Sequence, residues 1–465
     1  MTELAVHPTD IPGLLIVDLP VHGDDRGWFK ENWQRAKMTA LGLPDIAPVQ
    51  HNVSYNDERG VTRGIHAEPW DKYVSVVTGR IFGAWVDLRE GPTRGTVVTC
   101  EIGPDRAVFV PRGVGNSYQT LEAGTAYSYL VTEHWSPAAR DRYTFVALHD
   151  TSLGIDWPIP LEETIRSEAD LSHPLLADSR PVGRPHTLVV GAGGQLGRAL
   201  MATIPGAVGL TRAECDLADP ASVDALDLAD VDAIVNAAAY TAVDTAETQE
   251  GRRDAWAANV TGVGHLVRRA RIRGIPLVHV SSDYVFDGTG GQYDEESAPC
   301  PLGVYGQTKA AGDALVASFD RHYIVRTSWV VGDGANFVAT MAMLADKGIC
   351  PTVVDDQIGR LTFTVDLAAG IAHLLATRAP YGTYNLSNTG ASRSWADIAA
   401  DVFELRGRDR GDVTPVSTET YAAGKAMAPR PRHSTLTLDK LHATGFVPPR
   451  QAVRLREVVA RLPKA

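Results

Sequence analysis

A tyrosine and a lysine stand one helical turn apart in Tyr305-Gly-Gln-Thr-Lys309. The i, i+4 spacing places both side chains on one face of a helix. Reduction of a ketone requires a proton for the developing alkoxide, and a phenol whose pKa is lowered by a neighbouring ammonium can supply it. Ser282, in Ser281-Ser-Asp283, can hydrogen-bond the same oxygen. These residue types predict a site for carbonyl reduction.

A glycine-rich turn precedes these residues in the chain. Gly191-Ala-Gly-Gly194-Gln-Leu-Gly197 matches GxxGxxG between the apolar strand 188–190 and a helix-like segment. Glycines at such a junction let the backbone approach a pyrophosphate, and the helix N-terminus offers free N–H groups. A tight glycine turn without a ligand is the plainer alternative. The order of the turn, the serine pair and the YxxxK pattern favours a dinucleotide site.

Other residues after the first strands complete the predicted cofactor site. The second strand ends near Leu210-Thr-Arg212 without an acidic residue for the ribose hydroxyls, and Arg212 could meet a 2′-phosphate, which favours NADPH over NADH. As an alternative, Arg212 is only a solvated charge. Val235-Asn-Ala-Ala-Ala-Tyr240 ends in small residues that suit the floor beneath a nicotinamide ribose. We assign to the cofactor Gly191, Gly194, Gln195, Leu196, Gly197, Arg212, Asp216, Ala237, Ala238 and Tyr240.

The N-terminal part carries a second set of candidate residues. Removing a proton from a carbon beside a ketone needs a base that titrates near neutrality, and His66 oriented by a carboxylate would serve. Arg26 and Arg63 could hold diphosphate oxygens with their planar guanidinium groups. A lone histidine in a strand is more often a packing residue. The residues alone leave both interpretations open.

Two kinds of pattern indicate the elements that position these groups. Short apolar runs at 14–19, 73–77, 81–88, 96–102, 107–110 and 126–132, separated by Gly and Pro turns, predict an all-β sandwich or barrel. From residue 186, apolar strands alternate with amphipathic stretches, which predicts a parallel sheet covered by helices. The chain is therefore predicted to be multidomain, with an all-β domain over 1–177, a linker over 178–185 and an α/β domain over 186–465.

Composition limits the partners. The 465 residues suit two or three domains, and a net charge of -12 without a dense Lys/Arg cluster argues against a nucleic-acid partner. The four cysteines are scattered, which disfavours zinc and disulfides. We find neither a signal-peptide layout nor an apolar run of the roughly 18 residues that span a bilayer. We expect a cytoplasmic protein without a membrane partner.

Residues 186–463 resemble the dTDP-4-dehydrorhamnose reductases, which are extended short-chain dehydrogenases/reductases. Besides the glycine turn, the resemblance rests on 236–244, 281–288, 305–309, 326–329, Asn336-Phe337, 355–357 and Arg430-Pro431. It implies a Rossmann fold with a small substrate-binding subdomain, a catalytic triad of Ser282, Tyr305 and Lys309, and Asp283 and Trp329 near the sugar. The family usually has Thr at Ser282 and Pro-Thr at Leu361-Thr362. Some members bind magnesium between subunits, so magnesium is possible here.

Residues 12–177 resemble the dTDP-4-dehydrorhamnose 3,5-epimerases, metal-free cupin-type barrels of jelly-roll fold. The resemblance rests on Asp25-Arg-Gly27, Arg63-Gly-Ile-His66, Asp87-Leu-Arg89, Trp157-Pro158 and Ser167–Asp170, among other matches. It implies that His66 is the base, Asp170 its orienting partner and Lys72 a stabiliser of the enolate. The substrate-binding residues that it implies are Arg26, Phe29, Glu31, Gln50, Asn52 and Arg63. No metal ligand is assigned.

The epimerase-like part departs from its family at the acid. Trp135, in Trp135-Ser-Pro137, stands where the family has its general-acid tyrosine, and an indole cannot donate its proton as an acid at physiological pH. Asn116 replaces a second histidine, and Gly83-Ala84 replaces Asp-Val. Epimerisation with another acid or water, epimerisation at one carbon only, and binding without turnover all stay open.

The two resemblances name consecutive steps of one pathway. The first hypothesis is a bifunctional enzyme of dTDP-L-rhamnose biosynthesis that epimerises dTDP-4-keto-6-deoxyglucose at C3 and C5 and reduces the 4-keto group with NADPH or NADH. The alternative is a monofunctional reductase whose barrel only binds substrate, dimerises or epimerises one carbon. A dinucleotide-sensing protein without turnover is opposed by the complete Ser282, Tyr305 and Lys309 set. Both families often form dimers, so we expect a homodimer.

Overall fold

The computed structural model describes residues 3–46, 48–135, 140, 142–183, 185–228 and 230–464. The chain divides into two compact units, Met1–Arg184 and Pro185–Ala465. Strands dominate the first unit, and strands alternate with helices in the second. Among the described residues, no helix is both long and apolar enough to cross a membrane.

Two antiparallel sheets build the first unit. Its described strands are β1 (Ala5–Pro8), β2 (Leu15–Asp18), β3 (His22–Asp24), β4 (Gly27–Phe29), β5 (Gln50–Asn56), β6 (Thr62–Ala67), β7 (Lys72–Thr78), β8 (Ile81–Asp87), β9 (Val97–Ile102), β10 (Arg106–Val110), β11 (Val114–Thr120), β12 (Thr125–Val131) and β13 (Thr144–Val146), with one helix, α1 (Arg35–Ala40). The larger sheet has the order β1-β2-β10-β7-β12-β5, and the smaller has the order β13-β6-β11-β8-β9. From β5 to β13 the chain passes from one sheet to the other at every step except β8 to β9, as in a jelly-roll barrel. The predicted all-β barrel is confirmed.

The core of this unit lies between the two sheets. Val74 and Val76 of β7 pack with Trp85 of β8 and Tyr118 of β11 in one buried cluster. The apolar alternation of β7 and β8 therefore produces the predicted strands. β5, β6 and β11 were not predicted, because polar side chains along them break the apolar pattern.

The end of the first unit consists of short turns of 3₁₀ helix. These turns are Thr151–Leu153, Leu161–Glu163, Ala169–Leu171 and Leu176–Asp178. Val182 forms a parallel bridge with Arg89, and its N–H donates to the Leu88 carbonyl at 2.8 Å. The stretch 178–185, predicted as a linker, is thus hydrogen-bonded to the barrel as far as Val182.

The second unit is a parallel sheet covered by helices. Its strands are β14 (His186–Val190), β15 (Val208–Leu210), β16 (Val231–Asn236), β17 (Leu277–Ser282), β18 (His322–Thr327), β19 (Val330–Val331), β20 (Thr352–Val354), β21 (Ile358–Gly359), β22 (Thr362–Phe363), β23 (Gly382–Asn385), β24 (Arg393–Ser394) and β25 (Thr414–Val416). Its α-helices are α2 (Gln195–Thr203), α3 (Pro220–Asp224), α4 (Gln249–Trp256), α5 (Val263–Arg273), α6 (Val304–Ala317), α7 (Phe337–Asp346), α8 (Thr364–Ala376), α9 (Trp395–Leu405), α10 (Thr418–Ala422), α11 (Asp439–Ala443) and α12 (Gln451–Arg461). A π-helical segment, Ala257–Gly262, joins α4 to α5.

The strand order of the main sheet fixes where ligands bind. The order is β15-β14-β16-β17-β18-β23, so the chain changes direction across the sheet between β14 and β16. Ligands of such sheets bind at this point, beyond the carboxyl ends of the strands. Apolar clusters cover both faces of the sheet, which explains why its central strands are continuous apolar runs. The predicted Rossmann architecture is confirmed.

A smaller subdomain packs beside the sheet. α7, α9 and α12 contribute to one buried cluster with β22. Leu361, where the reductases usually have Pro, is buried in this cluster, and its N–H donates to Gln451 Oε1 at 2.9 Å. Proline has no N–H, so the usual residue of the family could not form this hydrogen bond to Gln451.

Candidate active sites

The glycine turn packs tightly against the end of β16. A Cβ on Gly191 would lie 2.7 Å from the backbone nitrogen of Ala238, and one on Gly197 would lie 2.2 Å from the Gly191 carbonyl oxygen. Gly191 also has a φ of 87°, which favours glycine. Gly194 caps α2 without a side-chain bond, so N–H groups at this helix end are available to an anion. The turn fits a pyrophosphate.

A cavity of about 850 Å³ lies at the carboxyl ends of the strands. Its volume is within the range of small-molecule sites, roughly 300–1,000 Å³. Of the residues predicted to bind cofactor, it is lined by Gly191, Gly194, Gln195, Leu196, Arg212, Asp216, Ala237, Ala238 and Tyr240. Gly197 lies beneath, packed on Gly191. The structure also brings to this cavity the predicted Ser282, Asp283, Tyr305, Lys309 and Trp329.

Arg212 stands at the rim of this cavity. Its side chain is 84% exposed and pairs with Asp216 at 3.2 Å. The nearby carboxylate of Glu214 accepts from the backbone N–H and the hydroxyl of Thr211, both at 2.8 Å. Glu214 is therefore engaged within the turn after β15, and Arg212 is among the residues that line the cavity.

Tyr305 lies in the first turn of α6, where it is half-buried beside Ser282. Burial raises the pKa of Tyr305, and a hydrogen bond with Ser282 opposes the rise. We predicted that the Lys309 ammonium lowers this pKa, and the structure gives the opposite direction. The reason is twofold, since the phenol is removed from water and Lys309 Nζ donates to the Val280 carbonyl at 2.7 Å.

Lys309 and Asp283 are buried ionisable groups of the same cavity. Burial lowers the pKa of Lys309 to about 8, and Asp313 opposes this shift. Burial raises the pKa of Asp283 to about 6, although its hydrogen bonds with Ser434 and Ser282 favour the carboxylate. Perturbed groups of this kind gather at catalytic sites.

Trp329 provides a rigid apolar wall. Its backbone φ is 45°, and its indole stacks on Trp395 with ring centroids 3.7 Å apart and an interplanar angle of 12°. Gly359 leaves room for it, because a Cβ there would lie 2.8 Å from the indole. A non-glycine residue held at positive φ is uncommon and marks a position fixed by its surroundings.

The barrel holds a second candidate site around His66. His66 Nε2 lies 2.9 Å from Asp170 Oδ1, and Ser167 donates to the other carboxylate oxygen at 2.8 Å. Although burial acts in the opposite direction, the hydrogen bonds from His66 and Ser167 lower the pKa of Asp170 to about 2. One ring nitrogen of His66, one of His173 and a carboxylate oxygen of Asp170 all lie within 4.8 Å of one another. An ionised carboxylate therefore orients the imidazole.

A cavity of about 280 Å³ begins at Glu68, two residues after His66 in the chain, although neither His66 nor Asp170 is among its lining residues. It is lined by Gln50, Asn52, Glu68, Trp70, Tyr129, Val131, Trp135 and Tyr143. Trp135 is 56% exposed, and its backbone N–H donates to Gln50 Oε1 at 3.1 Å. The following Ser136 and Pro137 lie outside the described residues.

Lys72 lies next to this cavity. It is ion-paired with Glu68, and its Nζ is 5.5 Å from the ring centroid of Tyr129. Burial lowers the pKa of Lys72 to about 7. Arg63 is more exposed, and its guanidinium donates to Ser54 Oγ at 3.1 Å.

The amide of Asn116 accepts hydrogen bonds in the core of the barrel. Its Oδ1 accepts from Trp85 Nε1 at 2.9 Å and from the Tyr127 hydroxyl at 3.1 Å. The residue that replaces the family's second histidine is therefore held within the packed interior.

Of the six predicted substrate residues of the barrel, Gln50 and Asn52 line this cavity, whereas Arg63, Arg26, Phe29 and Glu31 do not. Arg26 and Phe29 belong to the β3–β4 segment, where Arg26 pairs with Asp24 at 2.5 Å and Phe29 is 65% exposed. Glu31 pairs with Lys37 at 2.5 Å. Lys30 donates to the Val76 carbonyl at 2.9 Å, near the end of β7 opposite to Lys72.

Two family models match the chain. The one described as RmlD substrate binding domain matches residues 185–463. The chain belongs to the RmlD substrate binding domain family. The model described as dTDP-4-dehydrorhamnose 3,5-epimerase matches residues 8–178. The protein is thus a fusion of an epimerase domain with an RmlD reductase domain.

Individual relatives agree with this division. The epimerase domain is 49% identical over 178 residues to a protein RmlC homolog of Streptococcus pyogenes, a match that covers 37% of this chain and 89% of that protein. The RmlD domain is 40% identical over 281 residues to a dTDP-4-dehydrorhamnose reductase of Streptomyces griseus, covering 58% and 90%. It also resembles the structure of a Bacillus anthracis dTDP-4-dehydrorhamnose reductase in complex with NADP, at a TM-score of 0.55, 34% identity, and coverage of 60% and 98%.

The structure adds residues of the RmlD domain that the sequence did not reveal. Asn259, in the π-helical segment, accepts from the Tyr240 N–H at 2.8 Å and donates to the Tyr240 carbonyl at 3.2 Å. Asn236 and His279 are buried beneath Lys309. Asn236 and His279 are polar residues in otherwise apolar buried strands, and this interruption could have identified them from the sequence. No sequence pattern marks Asn259.

Proposed function

We propose that this protein converts dTDP-4-keto-6-deoxyglucose to dTDP-L-rhamnose in two steps. The epimerase domain would invert C3 and C5, and the RmlD domain would then reduce the 4-keto group with NADPH. The observation that carries the proposal is the cavity in which Ser282, Tyr305 and Lys309 lie beside the glycine turn. The reductase relatives and their NADP-bound structure support it.

In the reduction, residues of the RmlD domain donate the proton and hold the sugar in position. When bound, NADPH supplies the hydride. Tyr305 donates its proton to the C4 oxygen, and its raised pKa keeps the phenol protonated at neutral pH until the oxygen becomes basic. Ser282 hydrogen-bonds the same oxygen. Arg212 would select the 2′-phosphate of the cofactor.

In the epimerisation, His66 removes the proton beside the ketone. Asp170 stays ionised and stabilises the imidazolium that forms. Lys72, beside the cavity, stabilises the negative charge that develops on the C4 oxygen. The assembled pair of His66 with Asp170 favours this function over a barrel that only binds substrate or dimerises.

Because Trp135 stands where the family has its general-acid tyrosine, the proton for the opposite face of the sugar comes from another tyrosine of the barrel. Tyr129 and Tyr143 both line the cavity that contains Trp135. Tyr129 lies on β12 of the larger sheet, whereas His66 lies on β6 of the smaller sheet. Because base and acid must attack from opposite sides, we assign the acid to Tyr129, beside Lys72.

Isotope exchange tests the proposed function. The protein is incubated with dTDP-4-keto-6-deoxyglucose in deuterated water without NADPH, and deuterium at each carbon is measured by NMR. Entry at C3 and C5, followed by reduction when NADPH is added, is the expected result. Entry at C3 alone would mean a single epimerisation. No exchange, with reduction of pre-epimerised sugar only, would leave a monofunctional reductase.

A homodimer would give the exposed segment 26–31 a role. The family implies that Arg26, Phe29 and Glu31 bind substrate, yet within one chain they lie away from the cavity. We propose that a second copy presents these residues to the epimerase site. Light scattering should give twice the chain mass, and Phe29→Ser should weaken both dimerisation and exchange. A monomer with full exchange activity would refute this. A role for magnesium stays a prediction from the resemblance.

A further inference from the structure

A buried asparagine fixes the orientation of its neighbouring histidine. The backbone N–H of Ala238 donates to Asn236 Oδ1 at 3.1 Å. This bond places the amide nitrogen of Asn236 on the other side, where it lies 3.1 Å from His279 Nδ1. Both side chains are inaccessible to solvent. Because the amide nitrogen can only donate, Nδ1 of His279 must be the acceptor.

The ring proton of neutral His279 is therefore on Nε2. Burial, followed by the charge of Lys309, holds the pKa of His279 well below its ordinary value, so the ring is neutral. Nε2 lies 3.2 Å from Lys309 Nζ. The lysine thus faces an N–H and not a lone pair.

This contact favours one protonation state of Lys309. An ammonium has three donors and no acceptor, so it cannot bond the Nε2–H. A free amine can accept from Nε2 while it donates to the Val280 carbonyl, which is 2.7 Å away. The Nε2–H of His279 therefore favours the neutral amine of Lys309 over the ammonium.

Other charged groups act on the same pair from several elements. Asp313, on α6, has Oδ1 3.9 Å from His279 Nε2 and favours the ammonium. Arg326, on β18, binds the other oxygen of Asp313 at 3.3 Å and weakens that influence. Asp283 and Tyr284 follow β17, and Tyr305 precedes Lys309 on its own helix. Asp313 thus favours the ammonium of Lys309, whereas His279 favours the amine.

We propose that His279, oriented by Asn236, is a positioning residue that presents an N–H to Lys309 and keeps this lysine ready to release a proton. The proposal rests on the reduction proposed above. Tyr305 loses its proton in each turnover, so the phenolate must regain one. Lys309 is one helical turn away and can restore it: an O–H bond forms on Tyr305, an N–H bond breaks on Lys309, and the amine that results is stabilised by His279. A proton from bulk solvent, carried through water in the cavity, then restores the ammonium of Lys309.

An Asn236→Asp variant tests the direction of this effect. The carboxylate keeps the bond from Ala238 but accepts from Nδ1–H of His279, which turns Nε2 into an acceptor for the ammonium. The alkaline limb of kcat for reduction of pre-epimerised sugar should move up by roughly one pH unit or more, with KM little changed. An unmoved limb would overturn the proposal.

The double variant Asn236→Asp/His279→Leu separates the imidazole from the added charge. If the effect passes through His279, most of the shift disappears in the double variant. A shift of equal size in both variants would mean that the carboxylate acts on Lys309 directly, and the proposal would be wrong. Thermal unfolding of the RmlD domain, compared with that of the wild-type protein, reports whether each variant is folded.

The tautomer can also be read without any activity. Nitrogen-15 NMR of histidine-labelled wild-type protein should show His279 neutral, with its proton on Nε2. A proton on Nδ1, or a charged ring at pH 7, would refute the inference even if the variants do not fold. Wild-type protein that shows this tautomer but does not reduce the sugar would refute the proposed function instead.

Discussion

His66 Nε2 lies 2.9 Å from Asp170 Oδ1, and 104 residues of sequence separate the two side chains. The carboxylate is ionised throughout the neutral range, since its pKa is about 2. A base that is oriented and electrostatically supported in this way can accept a proton from carbon. The pair belongs to the epimerase domain alone, so its chemistry can be separated from that of the RmlD domain.

Removal of the base should divide the two activities. His66→Ala should lower deuterium exchange by about a hundredfold to ten-thousandfold, the usual contribution of a general base. Reduction of pre-epimerised sugar should be unchanged, because Tyr305 and Lys309 are in the other domain. NMR exchange and NADPH absorbance measure the two rates. Exchange at the wild-type rate would show that another group is the base.

The opposite division is expected for Tyr305→Phe. NADPH oxidation should fall by about a hundredfold to ten-thousandfold, because the C4 oxygen loses its proton donor. Exchange in the epimerase domain serves as the internal control and should persist. Normal NADPH oxidation by this variant would contradict the assignment of Tyr305.

The two phenols of the barrel cavity form a matched pair. Tyr129→Phe should still exchange deuterium, since His66 can return a deuteron to the face from which it took the proton, but inversion at C3 and C5 should be lost. Tyr143→Phe should keep both exchange and inversion. NMR of the recovered sugar distinguishes exchange with retention from inversion. The reverse pattern would assign the acid to Tyr143.

Arg212 should determine the preference between cofactors. A charge-assisted bond to a phosphate contributes about 1.5–3 kcal/mol, so Arg212→Ala should raise KM for NADPH about tenfold or more. KM for NADH, which lacks the 2′-phosphate, should change little and is the control. Equal effects on both cofactors would mean that Arg212 has no part in the selection.

The reduction should depend on pH through Lys309. Its pKa is lowered to about 8, whereas that of Tyr305 is raised by burial, so the lysine is the first of the two to lose its proton as pH rises. The kcat for pre-epimerised sugar should therefore fall as pH rises through about 8. A rate that stays constant to pH 10 would show that the ammonium is not required.

The sequence predicts most of the RmlD cavity and less of the barrel. The glycine turn, Ser282 and Tyr305 follow apolar strands whose ends must meet at one edge of a parallel sheet, so their proximity was predictable. In the barrel, the inward residues of β5 and β6 are polar and include Gln50, Asn52 and His66, so no apolar alternation marks these strands. The contact of Lys309 with His279 depends on side-chain direction, which spacing alone does not give.

The packing of Gly197 has a consequence for the pathway. No atom larger than hydrogen fits on its α-carbon, because the Gly191 carbonyl oxygen would be 2.2 Å from a methyl group placed there. One added methyl would therefore deform the glycine turn that holds the dinucleotide and leave the barrel, which is a separate unit, untouched. Such a chain would release the inverted keto sugar as its end product. A single methyl group at Gly197 would thus stop the reduction and leave the epimerisation.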